Sequence, residues 1–257
     1  MKYSKRRLFG QHFISDTRLL RRIVELAQLN DNTSVLEIGA GKGTLTKYIA
    51  QKAGRVLAVE LDKELYAQAT ASLRSYNNVK LIQGNILEMN DAGIDVIITS
   101  LPYSISGRFI EWLSGQGCQR VIAILQEDFA NKLVQEVCAK KYGPTSVLGQ
   151  FCFNLTLEDV IPRKLFKPAP SVDSRLVRFE RKLTLINWKN VSRILKFLFS
   201  FRGKTIKSTL GKIRTTYSEY FIPEINDNMR RIECLTPEEF MYLVSYMQSK
   251  RNVFAQS

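Results

Sequence analysis

Five short runs rich in Val, Ile and Leu set the frame of this chain: Ser34–Gly39, Val56–Leu61, Val79–Gly84, Asp95–Ser100 and Arg120–Gln126. Between them lie stretches of helical character near Gly43–Ala53, Asp62–Arg74, Ile105–Leu113 and Asp128–Lys140. Apolar runs without clean alternation suit strands buried on both faces, and strands separated by helices are parallel ones. The pattern predicts an α/β chain with a doubly wound sheet. Ahead of it, Asp16–Leu29 reads as an amphipathic helix capped by Asp16 or Thr17. Two further β-type stretches, Phe151–Ile161 and Arg175–Glu180, flank the Pro-interrupted loop Pro162–Pro170 and would complete the sheet. From about Lys182 the character turns helical and basic, with helices expected over Trp188–Ser200, Thr205–Arg214 and Pro237–Ser249. The chain is therefore expected to divide into an α/β domain over residues 1–182 and a small helical domain over residues 183–257.

Lys and Arg outnumber Asp and Glu by 38 to 24, a net charge of +14 that favours a polyanionic partner, nucleic acid above all. The excess is clustered at Lys5-Arg6-Arg7, at Arg18 with Arg21-Arg22, and from Arg202 through Lys204, Lys207 and Lys212 to Arg214. No apolar run reaches the roughly 18–20 residues of a membrane span, and the basic N-terminus lacks the apolar stretch of a secretory signal. A membrane protein is not expected. Cys118, Cys138, Cys152 and Cys234 form no CxxC pair, and the single His12 has no neighbouring ligand set, so no metal site is expected. Isolated cysteines at apolar positions read as buried thiols of a cytoplasmic protein. A monomer is the default expectation.

Three motifs carry chemistry. Glu37-Ile38-Gly39-Ala40-Gly41-Lys42-Gly43-Thr44 lies between a predicted strand and a predicted helix, at the carboxyl end of the first strand, where open α/β sheets bind ligands. Glycines there let the backbone approach a ligand closely. Such a turn serves NAD, a nucleotide or S-adenosylmethionine alike, or is only a tight turn, although its GxGxG spacing departs from the dinucleotide GxGxxG. Glu60 follows about twenty residues on, at the end of the next strand, where an acidic side chain can accept both hydrogen bonds of a ribose diol; the competing helix-cap role suits Asp62 better. A ribose-bearing cofactor is the reading these two motifs share.

The third motif, Thr99-Ser100-Leu101-Pro102-Tyr103, ends the fourth strand. Taken alone, a Leu-Pro-Tyr turn can be a mere strand terminator. At this place it sets an aromatic ring and several acceptors on the same crevice. The exocyclic amine of adenine is a poor nucleophile because its lone pair is delocalised into the ring. Acceptors on its N–H groups, with the base stacked on Tyr103, can aim that lone pair at a methyl sulfonium.

With these residues in place the chain resembles the ribosomal RNA adenine N6,N6-dimethyltransferases, relatives of the erythromycin-resistance methylases. The likeness runs through Phe9-Gly10-Gln11-His12-Phe13-Ile14, the glycine motif, Val59-Glu60-Leu61-Asp62, Leu101-Pro102-Tyr103 and Gln126-Glu127-Asp128-Phe129-Ala130. It continues through Lys141-Tyr142-Gly143, Phe166-Lys167-Pro168-Ala169-Pro170-Ser171-Val172-Asp173-Ser174, Phe201-Arg202-Gly203-Lys204-Thr205 and Leu235-Thr236-Pro237-Glu238-Glu239-Phe240. The resemblance implies a Rossmann-like, seven-stranded methyltransferase sheet with a small helical domain. It implies S-adenosylmethionine as methyl donor, held at Gln11, His12, Ile14, Gly39, Gly41, Glu60, Leu61, Asn85, Ile86 and Ser100. It also implies an acceptor site at Ser100, Leu101, Pro102, Tyr103 and Phe166, with Tyr103 and Phe166 flanking the adenine. The implied substrate is small-subunit ribosomal RNA, whose backbone the basic patches would hold.

Three residues depart from the family pattern: Ser100 stands for a usual Asn, Asn85 for a usual Asp and Gly203 for a usual Arg. On the residues alone, two other readings stay open. One is a catalytically weakened RNA-binding assembly factor, and the other is an adenine methyltransferase acting on large-subunit ribosomal RNA or on DNA.

Overall fold

The computed structural model describes residues 12–89, 93–182, 186–216 and 229–249. Among these, nine strands form two sheets. They are β1 (Phe13–Ile14), β2 (Ser34–Ile38), β3 (Arg55–Glu60), β4 (Val79–Gln83), β5 (Val96–Ser100), β6 (Arg120–Gln126), β7 (Phe153–Ile161), β8 (Phe166–Lys167) and β9 (Ser174–Arg181). Seven make the main sheet in the order β4-β3-β2-β5-β6-β9-β7. The first five of that order are mutually parallel, while β9 runs antiparallel to both β6 and β7. The order reverses between β2 and β5, which opens a crevice at their carboxyl ends.

Alternation along each strand divides the interior into two layers. Leu36, Ile38, Ile97, Val121 and Ala123 join one cluster, and their neighbours Val35, Val96, Ile98, Ile122 and Ile124 join the other. Helices α1 (Thr17–Ala27) and α2 (Thr44–Ala50) cover the second face through Leu20, Ile23 and Ile49. Helix α4 (Ser106–Ser114) covers the first through Phe109, Ile110 and Trp112. Each of these buried side chains contributes roughly 1.5–3 kcal/mol. The indole N–H of Trp112 donates to the Met89 carbonyl at 2.9 Å, so the largest buried ring leaves no orphan donor.

Local chemistry sets the helix starts. Asp16 caps α1, accepting from the amides of Arg18 and Leu19. Asp62 caps α3 (Lys63–Ser72), accepting from Glu64 and Leu65, the role expected of it. Helices α7 (Trp188–Phe199), α8 (Ile206–Thr216) and α9 (Pro237–Ser249) lie close to the expected positions. Their apolar residues Leu195, Leu198, Ile206 and Phe240 continue the cluster that α4 begins.

Four expectations are corrected. Helix α5 spans Glu127–Leu133, short of the expected Lys140, because the chain breaks into turns beyond Val134. The segment read as strand from Phe151 begins as helix: α6 (Pro144–Cys152) opens with Pro at its first position and gives way to β7 only at Phe153. A two-stranded ribbon pairs β1 with β8 antiparallel, Phe13 opposite Lys167 and Ile14 opposite Phe166, which local patterning did not predict. The cysteines are not all isolated: Cys118 and Cys152 are buried free thiols, while Cys138 and Cys234 form a disulfide across 96 residues.

The basic clusters are partly consumed within the chain. Arg18 pairs with Asp16, and Arg22 with Glu158 and Asp159. Arg202 donates to the carbonyls of Tyr142 and Ala139 at 2.7 and 2.8 Å. Lys204, Lys207 and Lys212 are exposed. Lys5-Arg6-Arg7 lies outside the described residues.

Candidate functional site

The carboxyl ends of β2, β3, β4 and β5 bring Gly39, Glu60, Asn85 and Ser100 to one crevice. The glycine turn leaves β2 with Gly39, Gly41 and Gly43 all at positive φ, +81°, +58° and +80°. Only glycine takes such angles without strain, and the result is a tight loop that lines the crevice. Gly39 and Ala40 both donate to the Val59 carbonyl, which ties the loop to β3.

Glu60 anchors this loop from the neighbouring strand. Its Oε2 accepts from the Gly41 amide and its Oε1 from the Asp62 amide, both at 2.8 Å. Burial pushes its carboxyl above the usual range, and the amides of Asp62, Gly41 and Leu61 pull it back in part. Both oxygens keep a further acceptor position. Beneath it, Glu37 is fully buried and its Oε2 makes no hydrogen bond. Burial drives the Glu37 carboxyl up to about 8, with the Glu60 charge acting in the same direction and Thr46 opposing.

On the far side of the glycine loop, Asn85 caps a short turn, Ile86–Glu88. Its carbonyl accepts from the Leu87 amide, and its amide donates to Glu88 at 2.8 Å. The Asn85 side chain is thereby held beside a carboxylate. Leu61, 58% exposed despite its size, forms an apolar wall nearby.

At the other end of the crevice Pro102 leads into the turn Tyr103–Ile105. The Tyr103 hydroxyl lies 2.6 Å from Ser174 Oγ, and its ring centroid is 5.8 Å from that of His12. The His12 ring is held in turn by the Pro168 carbonyl at 2.8 Å from Nδ1. Phe166 is buried in the second cluster and shows one side to the crevice. The ribbon closes the roof: Phe13 lies against Gly41, with the Lys42 ammonium 5.6 Å from its ring centre.

A cavity of about 170 Å³ runs through these parts without interruption. His12, Ile14, Gly39, Gly41, Glu60, Leu61, Asn85, Ile86, Ser100, Leu101, Pro102, Tyr103 and Phe166 all line it. Every expected site residue but one thus meets in a single space. The exception, Gln11, lies outside the described residues. The cavity joins a buried, amide-held carboxylate to an aromatic turn, and residues 2–249 match the family described as ribosomal RNA adenine dimethylase. The chain belongs to that family.

This dimethylase is 32% identical to ribosomal RNA small subunit methyltransferase A of Thermotoga neapolitana over 235 residues, 91% of this chain and 88% of that protein. It is 30% identical to the protein of the same name from Streptococcus sanguinis, covering 96% of this chain and 93% of that one. In fold it is similar to a dimethyladenosine transferase from Plasmodium falciparum, with a TM-score of 0.77, 21% identity, and coverage of 93% of this chain and 98% of that one. It is similar also to the 23S rRNA methyltransferase ErmE, with a TM-score of 0.65, 22% identity, and coverage of 92% and 99%.

Several cavity residues of the dimethylase were not singled out from sequence. Phe13 and Lys42 sat inside quoted motifs, but the contact of Phe13 with Gly41 crosses 28 positions and leaves no local signal. Leu65, Ile105 and Ile124 supply the apolar floor and look like ordinary core residues in the sequence. Among the described residues, no group of three or more His, Cys, Asp or Glu is placed to hold a metal ion. No described helix is long and apolar enough to cross a membrane.

Proposed function

We propose that this dimethylase places the ribose of S-adenosylmethionine on Glu60 and the target adenine of small-subunit ribosomal RNA against Tyr103, so that methyl groups pass along the cavity to N6. The observation that carries this reading is the uninterrupted cavity from Glu60 to Tyr103. The glycine cradle supports the fit of the donor: a Cβ on Gly41 would lie 3.1 Å from Phe13 Cε1, and one on Gly39 would lie 3.6 Å from the Ser100 carbonyl. Side chains there would fill the channel.

The donor supplies an electrophilic methyl on sulfur; the rest is orientation by the chain. Glu60, held by two amides, offers its remaining acceptor positions to the ribose diol. Leu61 and Ile86 sandwich the donor's base, and the Asn85 carbonyl accepts from its amine. The Ser100 hydroxyl and the Leu101 carbonyl accept the two N–H groups of the target amine, which turns its lone pair out of conjugation. Tyr103 and Phe166 hold the ring in place. Positioning and electrostatics carry the reaction here, since the amine sheds its proton to solvent once alkylated.

The division into residues 1–182 for the chemistry and 183–257 for RNA completes the reading. Exposed Lys204, Lys207 and Lys212 supply phosphate contacts. The protein acts as a cytoplasmic monomer and uses no metal. Calorimetry with S-adenosylmethionine, then mapping of modified adenines in undermethylated small subunits, tests the proposal: donor binding and doubly methylated N6 are expected. Absence of both would end it.

A further inference from the structure

Behind the Tyr103 end of the cavity lies a buried hydroxyl group that the reaction as described does not use. Ser174 opens β9 and is fully buried. It is opposite Gln126 in β6 and Ile161 in β7, so strands on both sides fix its backbone. The residue before it is clamped as well: Asp173 accepts the Arg163 amide on its carboxylate at 2.8 Å and the Glu127 amide on its carbonyl at 3.2 Å. A hydroxyl in such a place costs free energy unless it finds a partner, and the strand beyond it is built of Leu176, Val177 and Phe179. Among the described residues its hydrogen-bond partner is the Tyr103 hydroxyl, 2.6 Å away and 71 positions earlier in the chain.

We propose that Ser174 is a positioning residue for methyl transfer, holding the phenol of Tyr103 so that the ring presents a fixed face to the acceptor base. The inference rests on the reading of Tyr103 as the platform for the adenine. A tyrosine anchored only at its Cα keeps two free side-chain torsions. A bond at the phenol oxygen fixes the other end, so that only rotation about the long axis remains. The His12 ring, inclined by 30° at 5.8 Å, limits that rotation, and the Pro168 carbonyl limits His12. The tether runs to the seven-stranded sheet rather than to the turn that carries the tyrosine, so the ring is fixed from a second element. Orientation of this kind acts on the transfer step and leaves donor binding alone.

The test is a double-mutant cycle in the full-length protein, read by single-turnover methylation of small subunits, calorimetry with S-adenosylmethionine and thermal melting. Ser174→Ala and Tyr103→Phe each remove one end of the same bond, and each is expected to slow transfer roughly tenfold at unchanged donor affinity. The double variant is expected to be no slower than either single one. Tyr103→Phe sits at a half-buried position, so the cycle keeps a readable arm even where Ser174→Ala lowers the melting temperature. Ser174→Ala at the wild-type rate, or losses that multiply in the double variant, would overturn the tether while a slow Tyr103→Ala still upheld the platform. Tyr103→Ala at the wild-type rate would overturn the platform reading and the tether with it.

Discussion

The ring of Phe13 occupies the space that a side chain on Gly41 would need. A Cβ built on that glycine meets Phe13 Cε1 at 3.1 Å, and the glycine itself sits at φ +58°. Gly41→Ala therefore strains the loop by about 1 kcal/mol and crowds the Phe13 ring. We expect S-adenosylmethionine affinity to fall at least about tenfold, which is about 1.4 kcal/mol. Calorimetry on a variant with native circular dichroism checks it, and wild-type affinity would contradict the cradle.

Glu37 makes stability depend on pH in the direction opposite to an ordinary paired carboxylate. Its carboxyl titrates at about 8 when folded against 4.5 ordinarily, so the folded state holds its proton more tightly than the unfolded one. That contribution is fully present below pH 4.5 and is lost as pH rises through 8. The upper bound is about 5 kcal/mol. Glu37→Gln, which cannot lose a proton, should gain on wild type by several degrees in Tm between pH 5 and pH 9. Parallel melting curves across that range would show that burial does not hold the proton.

Gly203 has a φ of +83°, which gives the reason why its exchange for Arg, the residue the resemblance implies there, is not neutral. Its amide donates to Glu233 at 2.8 Å, which fixes the turn between α7 and α8. Gly203→Arg adds a charge on the basic face and forces a side chain into the left-handed region at about 1 kcal/mol. RNA affinity should rise with a steeper salt dependence, while Tm falls by roughly 2–4 °C. Filter binding at two salt concentrations, with melting curves, separates the two effects.

The Cys138–Cys234 disulfide joins the loop after α5 to the turn before α9. Two hydrogen bonds span the same junction, Cys138 amide to Glu233 carbonyl and Tyr142 hydroxyl to Leu235 carbonyl, and Arg202 from the turn between α7 and α8 adds two more to the carbonyls of Tyr142 and Ala139. Reduction should therefore lower stability, by at most about 5 kcal/mol for a loop of this size, without separating the parts. Thiol titration of oxidised, unfolded protein should count two groups, Cys118 and Cys152, and reduced protein four. Four groups without reductant would remove the disulfide from the account.

Sheet, order of helices and both ends of the cavity were legible because each is written locally. Apolar runs mark β2 through β6, Asp62 marks the start of α3, and the Gly39-Ala40-Gly41 and Leu101-Pro102-Tyr103 turns stand at strand ends. What escaped is written in distant pairs. A two-residue strand has no periodicity, so β1 and β8 exist only through each other. Helix α6 is apolar on nearly every face and holds Gly149, which hides its period inside what reads as the approach to a strand. Cys138 and Cys234 carry no spacing signal across 96 residues. Glu60 illustrates a half-legible case: its place at the crevice was readable, but its grip on the Gly41 amide was not.

Ile14 and Phe166 are register partners in the ribbon and both line the cavity, so two stretches of chain that close it are stitched to each other. A shift on either side is felt across the seam, because two amino acids 152 positions apart share one backbone ladder. The ribbon therefore acts as one piece over the cavity rather than as two independent strands, and substitutions on one side of that seam will alter the fit on the other.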